Sequence, residues 1–490
     1  MIEESIPGTV PNWIGGEQSE ALSGKVFDKV SPHSGRPVYQ VVRSLADDIE
    51  RAVGAAREAQ PDWAGLTPVR RGEVLYALAR LMRRDQQDLA AVVALETGMS
   101  FAAAMGETGA AIAQGEFMAG EGRRLYGRTT GSATPHRYAS TIRQPVGVAG
   151  LIIAANTPIA NVAWKVFPAL ICGNAAVLKA AEDTPATAWL FGRIAQEAGV
   201  PAGVLNIIQG QGEEAGAPLV AHPGVDVVSF TGSTAVGRRI ATVAGARLAR
   251  VSLELGGKNA LVVCDDADLE NALNWTLLAA FSNAGQRCAA ASRIIVFDAI
   301  YEQFRDRLVE RVRLLRVGPD DADDLGPVIN QRQLDNLLAF IARAKAAGAT
   351  VTLGGRRLDD EAHAKGFYLA PTIIEGAGPQ DEISVTELFG PVTCLYRAST
   401  FAEALRMAND SPYGLTAAIH TRSIHRATEF TQRVQAGVAV VNGGTHGSEP
   451  HMPFGGLKQS GNGSREPGTE ALDVYSELKD VYVHCDPGDL

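Results

Sequence analysis

A chain of 490 residues, 46% hydrophobic and 20% charged, can bury a substantial core, and its length predicts two to four domains. The formal net charge of -10 argues against a nucleic-acid or anionic-membrane surface, each of which needs clustered Lys and Arg, and favours small-molecule partners. No run of about 18 uncharged apolar residues occurs, and MIEESIPGTV opens with acids where a secretory signal carries a basic region, so the cytoplasm is the expected compartment.

In chain order, the first β-rich segment with a distinct character is RYASTIRQ at 137–144. From about residue 146 short apolar runs alternate with helix-length segments: VGVAGLIIAA, PIANVAWKVFPALICG, AAVLKA, TPATAWLFGRIAQEAG, GVLNIIQG and DVVSFTG. That alternation predicts a parallel sheet wrapped by helices, the unit of nucleotide-binding α/β folds, with ligands at the carboxyl ends of the strands. A second α/β stretch follows Gly257, with helix-like patterns in CDDADLENALNWTLLAAFS and YEQFRDRLVERVRLL around the strand-like SRIIVF. A last β-rich segment, LDVYSELKDVYVH, lies at 472–484; flanking the lobes, the two segments suit a protruding hairpin and a terminal strand used for subunit pairing.

The expected architecture is therefore α/β: a Rossmann-like cofactor domain over 1–125 and 146–257, a second α/β domain over 258–460, and a small β arm from 126–145 and 470–490. A cleft between the lobes is the expected site. Five cysteines, sparse and widely spaced, give neither a disulfide framework nor a zinc pattern, so reduced thiols and no metal are expected.

One of them, Cys288 in FSNAGQRCAAAS, falls on a loop between a helical pattern and a strand. A lone intracellular cysteine is more often a small buried hydrophobe than a nucleophile. Glu254 in ARVSLELGGK ends an apolar run and precedes two glycines that permit a tight turn beside a ligand. Desolvation by VSLEL would raise its pKa and suit it to general-base work, although an isolated glutamate here is equally an ordinary carboxylate. In FTGSTAVG, Gly232, Ser233 and Gly237 span a strand-to-helix junction where free N–H groups and the helix dipole favour a phosphate. Many such turns bind nothing.

Taken together, ELGGK at 254–258 and GQRC at 285–288 resemble the aldehyde dehydrogenase superfamily. So do AANTP at 154–158, LKAAEDTP at 178–185, FTGSTAVG at 230–237, ELFGPV at 387–392 and PFGGLKQSG at 453–461, in the family's order over nearly the whole chain. The resemblance implies an NAD(P)-dependent oxidation in which the Cys288 thiolate attacks the aldehyde, a hydride passes to the nicotinamide, and the resulting thioester is hydrolysed. Asn156 and the backbone N–H of Cys288 then hold the oxyanion. Glu254 activates the hydrolytic water, which favours release of free acid over transfer to coenzyme A. Lys165 and Glu466 match a pair that carries protons away. Asn156 has an alternative reading as the cap of the helix starting near Pro158.

For the cofactor, the resemblance assigns the pyrophosphate to Ser233 beside Gly232 and Gly237, the adenosine ribose to Lys179 and Glu182, and the nicotinamide side to Ala155, Glu387 and Phe389. A carboxylate at 182 repels a 2′-phosphate, which favours NAD; Lys179 could pair that phosphate, which keeps NADP possible. Trp164 and Phe454 match substrate-tunnel positions, and Arg287 either tunes Cys288, binds a substrate carboxylate, or sits in a structural ion pair. Ala155 and Thr157 stand where many relatives carry large side chains, and GNGSRE has one residue more than the usual spacing before Glu466. The loop GGTHGSEPHMPF offers His446, Ser448, Glu449 and His451, a hint of a polar aldehyde against the plainer reading of solvated loop polarity. The implied partner is a small-molecule aldehyde and the implied assembly a homodimer or homotetramer. Alternatives are a semialdehyde dehydrogenase of the same mechanism, or a non-catalytic member that kept the fold.

Overall fold

The computed structural model describes residues 6–485 and 488. Residues 1–5 of the expected first domain, and 486, 487, 489 and 490 at the end of the expected arm, lie outside them. The first of two large sheets has five parallel strands in the order Arg250–Leu255, Val227–Gly232, Val148–Ile152, Ala175–Lys179 and Leu205–Ile208. Two antiparallel edge strands, Asn12–Ile14 and Glu17–Ser19, complete it.

Each central strand reads as an unbroken apolar run because both its faces are covered. Ala149, Leu151, Ala176 and Leu178 pack with the helices Pro158–Ile171 and Pro185–Glu197. Val148, Ile152, Ala175 and Val177 pack on the other face, against Ile49, Ala52 and Val53 of the helix Ala46–Gly65. From Val148–Ile152 the chain steps outward through two strands, then returns to add Val227–Gly232 on the opposite side of its starting strand. The strand order thus reverses between two neighbours, and a crevice opens at their carboxyl ends, beside Ala155 and Ser233.

The second sheet runs Thr350–Leu353, Thr372–Glu375, Val392–Ala398, Ala291–Phe297, Asn259–Val263, Thr416–His420 and Val438–Val441, parallel except for its first strand. Only Gly256, Gly257 and Lys258 separate the last strand of one sheet from Asn259 in the other. A Cβ on Gly256 would lie 1.9 Å from Glu387 Oε2, so a side chain at this crossing would have to displace the Glu387 carboxylate.

A third sheet places Arg137–Pro145 between Thr129–Gly131 and Ser476–His484, all antiparallel. The β reading of 472–484 requires a correction: Ala471–Tyr475 is a short helix, and the strand starts at Ser476. Ala471, Leu472, Val474 and Tyr475 join the first core, and that burial overrides the β propensity of Val474 and Tyr475. A small sheet of Thr9–Val10, Pro37–Val42 and Val26–Val30 had no sequence counterpart in the expectation. Among the described residues no helix is long and apolar enough to cross a membrane.

Candidate active site

At the junction of the two large sheets lies a cavity of about 390 Å³, lined among others by Asn156, Trp164, Glu254, Cys288, Glu387 and Phe454. Cys288 is reached through an irregular segment after the helix Leu269–Phe281, in which Asn283 and Ala284 adopt left-handed backbone (φ 54° and 51°). Strain of this kind persists where the surroundings over-determine it. Here Gln286 Oε1 accepts from Ile329 N at 2.8 Å, while Asn259 Nδ2 donates to the carbonyls of Cys288 at 2.7 Å and Ala290 at 2.9 Å. Thr445 Oγ1 adds a 2.6 Å bond to the Ala289 carbonyl.

Asn156 is not a helix cap. Its Nδ2 donates to the Gln286 carbonyl at 3.0 Å, and its own carbonyl accepts from Asn283 Nδ2 at 3.1 Å. One amide hydrogen is thereby spent on orienting the side chain beside the cysteine loop, and the second remains for a ligand. Burial pushes the Cys288 thiol up to about 12, helped by the negative charges of Glu387 and Glu254 and opposed by the Ala289 N–H and Arg287. At rest the group is a thiol.

Glu254 lies next to Leu255 at the end of its strand, and neither carboxyl oxygen has a hydrogen-bond partner among the described residues. Burial, then the neighbouring charge of Glu466, hold its pKa well above the usual carboxylate range, against Lys165 and Arg465. Behind it, Lys165 Nζ and Glu466 Oε2 form a fully buried ion pair at 2.8 Å. Glu466 thus stands beside Glu254 and Lys165, reached through a turn in which Gly463 takes left-handed backbone at φ 101°. Glu387 accepts from the Gly257 N–H at 3.0 Å, and burial raises it to about 7, opposed by that bond and by Lys258.

A larger cleft of about 850 Å³ adjoins this cavity and shares Ala154, Thr231, Gly232 and Ser233 with it. Ala155, Lys179 and Glu182 also line it, with Arg239 and Arg332. Lys179 Nζ and Glu182 Oε2 are 2.8 Å apart; burial would raise the Glu182 carboxyl, but the Lys179 charge and hydrogen bond outweigh it and keep it ionised. Ser233 caps the helix Thr234–Ala246, accepting from Val236 N at 3.4 Å. Gly237 lines neither cavity; a Cβ there would meet Leu255 Cδ2 at 2.6 Å, so its smallness serves helix–sheet packing. Phe389 stands in left-handed backbone (φ 58°) on the wall of the smaller cavity.

The family model for the aldehyde dehydrogenase family matches residues 19–481. The chain belongs to the aldehyde dehydrogenase family. It is 39% identical to the alpha-ketoglutaric semialdehyde dehydrogenase of Bacillus subtilis, over 97% of this chain and 98% of that one. An aldehyde dehydrogenase of Emericella nidulans is also 39% identical, covering 96% and 94%. Among solved structures, betaine aldehyde dehydrogenase from Staphylococcus aureus in complex with NAD+ superposes with a TM-score of 0.97 at 32% identity, over 99% of this chain and 97% of that one.

In this aldehyde dehydrogenase fold the Trp164 and Phe454 rings meet at 5.5 Å between centroids on the wall of the smaller cavity. Arg287 lines neither main cavity, and its Nε is buried without a hydrogen-bond partner among the described residues. His446 is tilted against Trp275, 6.2 Å between ring centroids, while His451 faces Glu449 at 3.4 Å. Among the described residues no group of three or more His, Cys, Asp and Glu could hold a metal. All five cysteines are free. Sequence reasoning missed Asn259, Asn283 and Gln286, which fix the cysteine loop, and Ser229, Ser252 and Tyr475, which surround the Lys165–Glu466 pair. Asn259 follows the ELGGK motif directly, but nothing local marks its partners.

Proposed function

We propose that this enzyme oxidises an aldehyde to a free carboxylic acid, with Cys288 as covalent nucleophile, Glu254 as general base for hydrolysis and NAD as hydride acceptor. The observation that carries this is the meeting of Cys288, Asn156 and Glu254 in one cavity that is continuous with a cleft fitted to a dinucleotide. That fit rests on chemistry. The N-terminus of the helix Thr234–Ala246 suits a pyrophosphate, and the ionised Glu182 suits ribose hydroxyls while repelling a 2′-phosphate. Lys179 leaves NADP as a weaker alternative. Glu387 suits the second ribose. When bound, NAD supplies the acceptor for the hydride.

The chain's own groups do the rest. The Cys288 thiol gives its proton to Glu254, which passes it on to the Lys165–Glu466 pair; as the sulfur bonds to the carbonyl carbon, the π pair moves to oxygen, where the free Asn156 amide hydrogen and the Cys288 N–H meet it. Loss of hydride leaves a thioester. Water then attacks that carbon, its proton passes to Glu254, and the C–S bond breaks to return the Cys288 thiolate. Lys165 and Glu466, buried beside Glu254, take the proton onward. Two lobes, 1–125 with 146–257 and 258–460, enclose the site in this reading, and the arm of 126–145 and 470–490 joins subunits as a homodimer or homotetramer.

A second reading narrows the substrate to a semialdehyde with its own carboxylate. It is favoured by the likeness to the alpha-ketoglutaric semialdehyde dehydrogenase of B. subtilis.

The test supplies NAD with propanal, benzaldehyde and succinic semialdehyde, and follows NADH. Turnover of at least one is expected, with Cys288→Ser losing it while still binding NAD. An active Cys288→Ser enzyme would sink the mechanism. Equal efficiency on all three aldehydes would remove the semialdehyde reading.

A further inference from the structure

Glu254 faces a disposal problem. Its carboxyl is buried, and the charged groups around it are Glu466, Lys165 and Arg465. In the mechanism proposed above, each turnover leaves a proton on it that must reach water before the next.

From the Lys165–Glu466 pair a line of hydroxyls leads outward. Lys165 Nζ donates to Ser229 Oγ at 2.7 Å, and Ser229 Oγ to Glu466 Oε1 at 2.7 Å. Ser252 Oγ lies 3.2 Å from the same Oε1 and 3.0 Å from Ser464 Oγ. Ser464 Oγ in turn is 2.7 Å from Oδ1 of the exposed Asn462. Ser252 is 1% exposed, whereas Ser464 is half-buried and sits in the turn before Glu466.

The strand Arg250–Leu255 explains the alignment. Ser252 and Glu254 are two residues apart and so share one face of the sheet, while Val251, Leu253 and Leu255 pack into the core on the other. Both Asn462 Oδ1 and Ser464 Oγ also accept from Leu253 N, at 3.1 and 3.3 Å, which ties the turn to that strand.

We infer that a proton handed by Glu254 to the Lys165–Glu466 pair leaves from Glu466 through Ser252 and Ser464, with the 461–465 turn providing the exit to solvent. Ser252 has one hydroxyl hydrogen and two acceptors within reach, Glu466 Oε1 and Ser464 Oγ. Those two orientations are the states before and after a transfer. Ser252 gives its hydrogen to Ser464 and receives one from Glu466; Ser464 releases its own hydrogen to water. One proton moves outward and no charge is left on either serine. Ser252 and Ser464 act through Glu466 and touch no reacting atom, so both are positioning residues. Asn462 orients Ser464 and carries no proton.

The inference rests on Glu254 being the hydrolytic base, and the experiment separates the two. With the fastest aldehyde of the panel, a pre-steady-state NADH burst reports acylation, and mass spectrometry of quenched samples reports decay of the acyl-enzyme. Ser252→Ala and Ser464→Ala should keep the burst and slow acyl-enzyme decay by roughly tenfold, a fraction of what general-base catalysis provides. The slowed step should show an altered solvent deuterium effect. Ser464→Thr, which keeps the hydroxyl, should restore both, an outcome that a merely structural role would not give. Because Ser464 is half-buried, its variants keep the test valid even where Ser252→Ala folds poorly. Wild-type decay and isotope effect in Ser464→Ala, with Glu254→Gln still accumulating acyl-enzyme, would overturn the exit route alone. Wild-type decay in Glu254→Gln would remove the reading beneath it.

Discussion

Two acids of this site are held on opposite sides of the ordinary carboxylate range, and each position has a consequence. Glu254 is raised by burial and by Glu466, so at the ordinary carboxylate pKa it is still protonated and cannot take a proton from water. Acyl-enzyme decay should therefore be slow in acid and climb as pH rises through the raised pKa, with the limb displaced to higher pH than a solvent-exposed glutamate would give. The limb should vanish in Glu254→Gln, measured by quenched decay from acid to mildly alkaline pH; an unchanged limb would assign it to another group. Glu182 is the converse case, kept ionised by Lys179. Glu182→Gln removes the charge that repels a 2′-phosphate, so the ratio of kcat/KM for NADP over NAD should rise about tenfold, some 1.4 kcal/mol. A ratio that stays put would mean that Lys179 or Arg332 sets the preference.

At the scale of elements, how much was legible depended on the distance over which the deciding contact acts. The strands from Val148 to Leu255 were readable because a parallel strand buried on both faces announces itself as an apolar run bounded by turns. Cys288, Glu254 and Asn156 were readable through their motifs, and the cavity unites them. Asn259 was not, since its partners lie 29, 31 and 157 residues away at Cys288, Ala290 and Thr416. The helix Ala471–Tyr475 escaped for the same reason: its burial depends on a core assembled elsewhere. Asn259 thus makes a prediction at this scale, because it staples the strand Asn259–Val263 to the nucleophile loop. Asn259→Ala leaves two carbonyls and one N–H short of a partner, which costs about 1–3 kcal/mol in stability by thermal melting. It should also lower kcat more than KM, since the loop carrying Cys288 loses its anchor. A variant with full kcat and a lowered melting temperature would confine Asn259 to the fold.

The whole molecule leaves one surface whose chemistry asks for a partner. In the arm, Tyr138, Ile142 and Val483 fall on a single face of the sheet, Tyr138 directly opposite Val483, and they are 70%, 47% and 49% exposed. Among the described residues Ser476–His484 is an edge strand with one side unpaired, the kind of edge that natural proteins cover or charge. An apolar face continuous with a free edge suits a second copy of the chain, because a two-fold axis brings the same patch to both sides. The arm stands apart from the residues that line the active cavity, so disrupting it should separate assembly from chemistry. Ile142→Glu combined with Val483→Glu places carboxylates where two such faces would meet, and light scattering after size exclusion should show the mass fall to a smaller assembly or a single chain. Turnover per chain should persist if each subunit's cavity is complete in itself. A wild-type protein that elutes as a single chain, or a double variant whose mass does not change, would show that the arm does not hold subunits together.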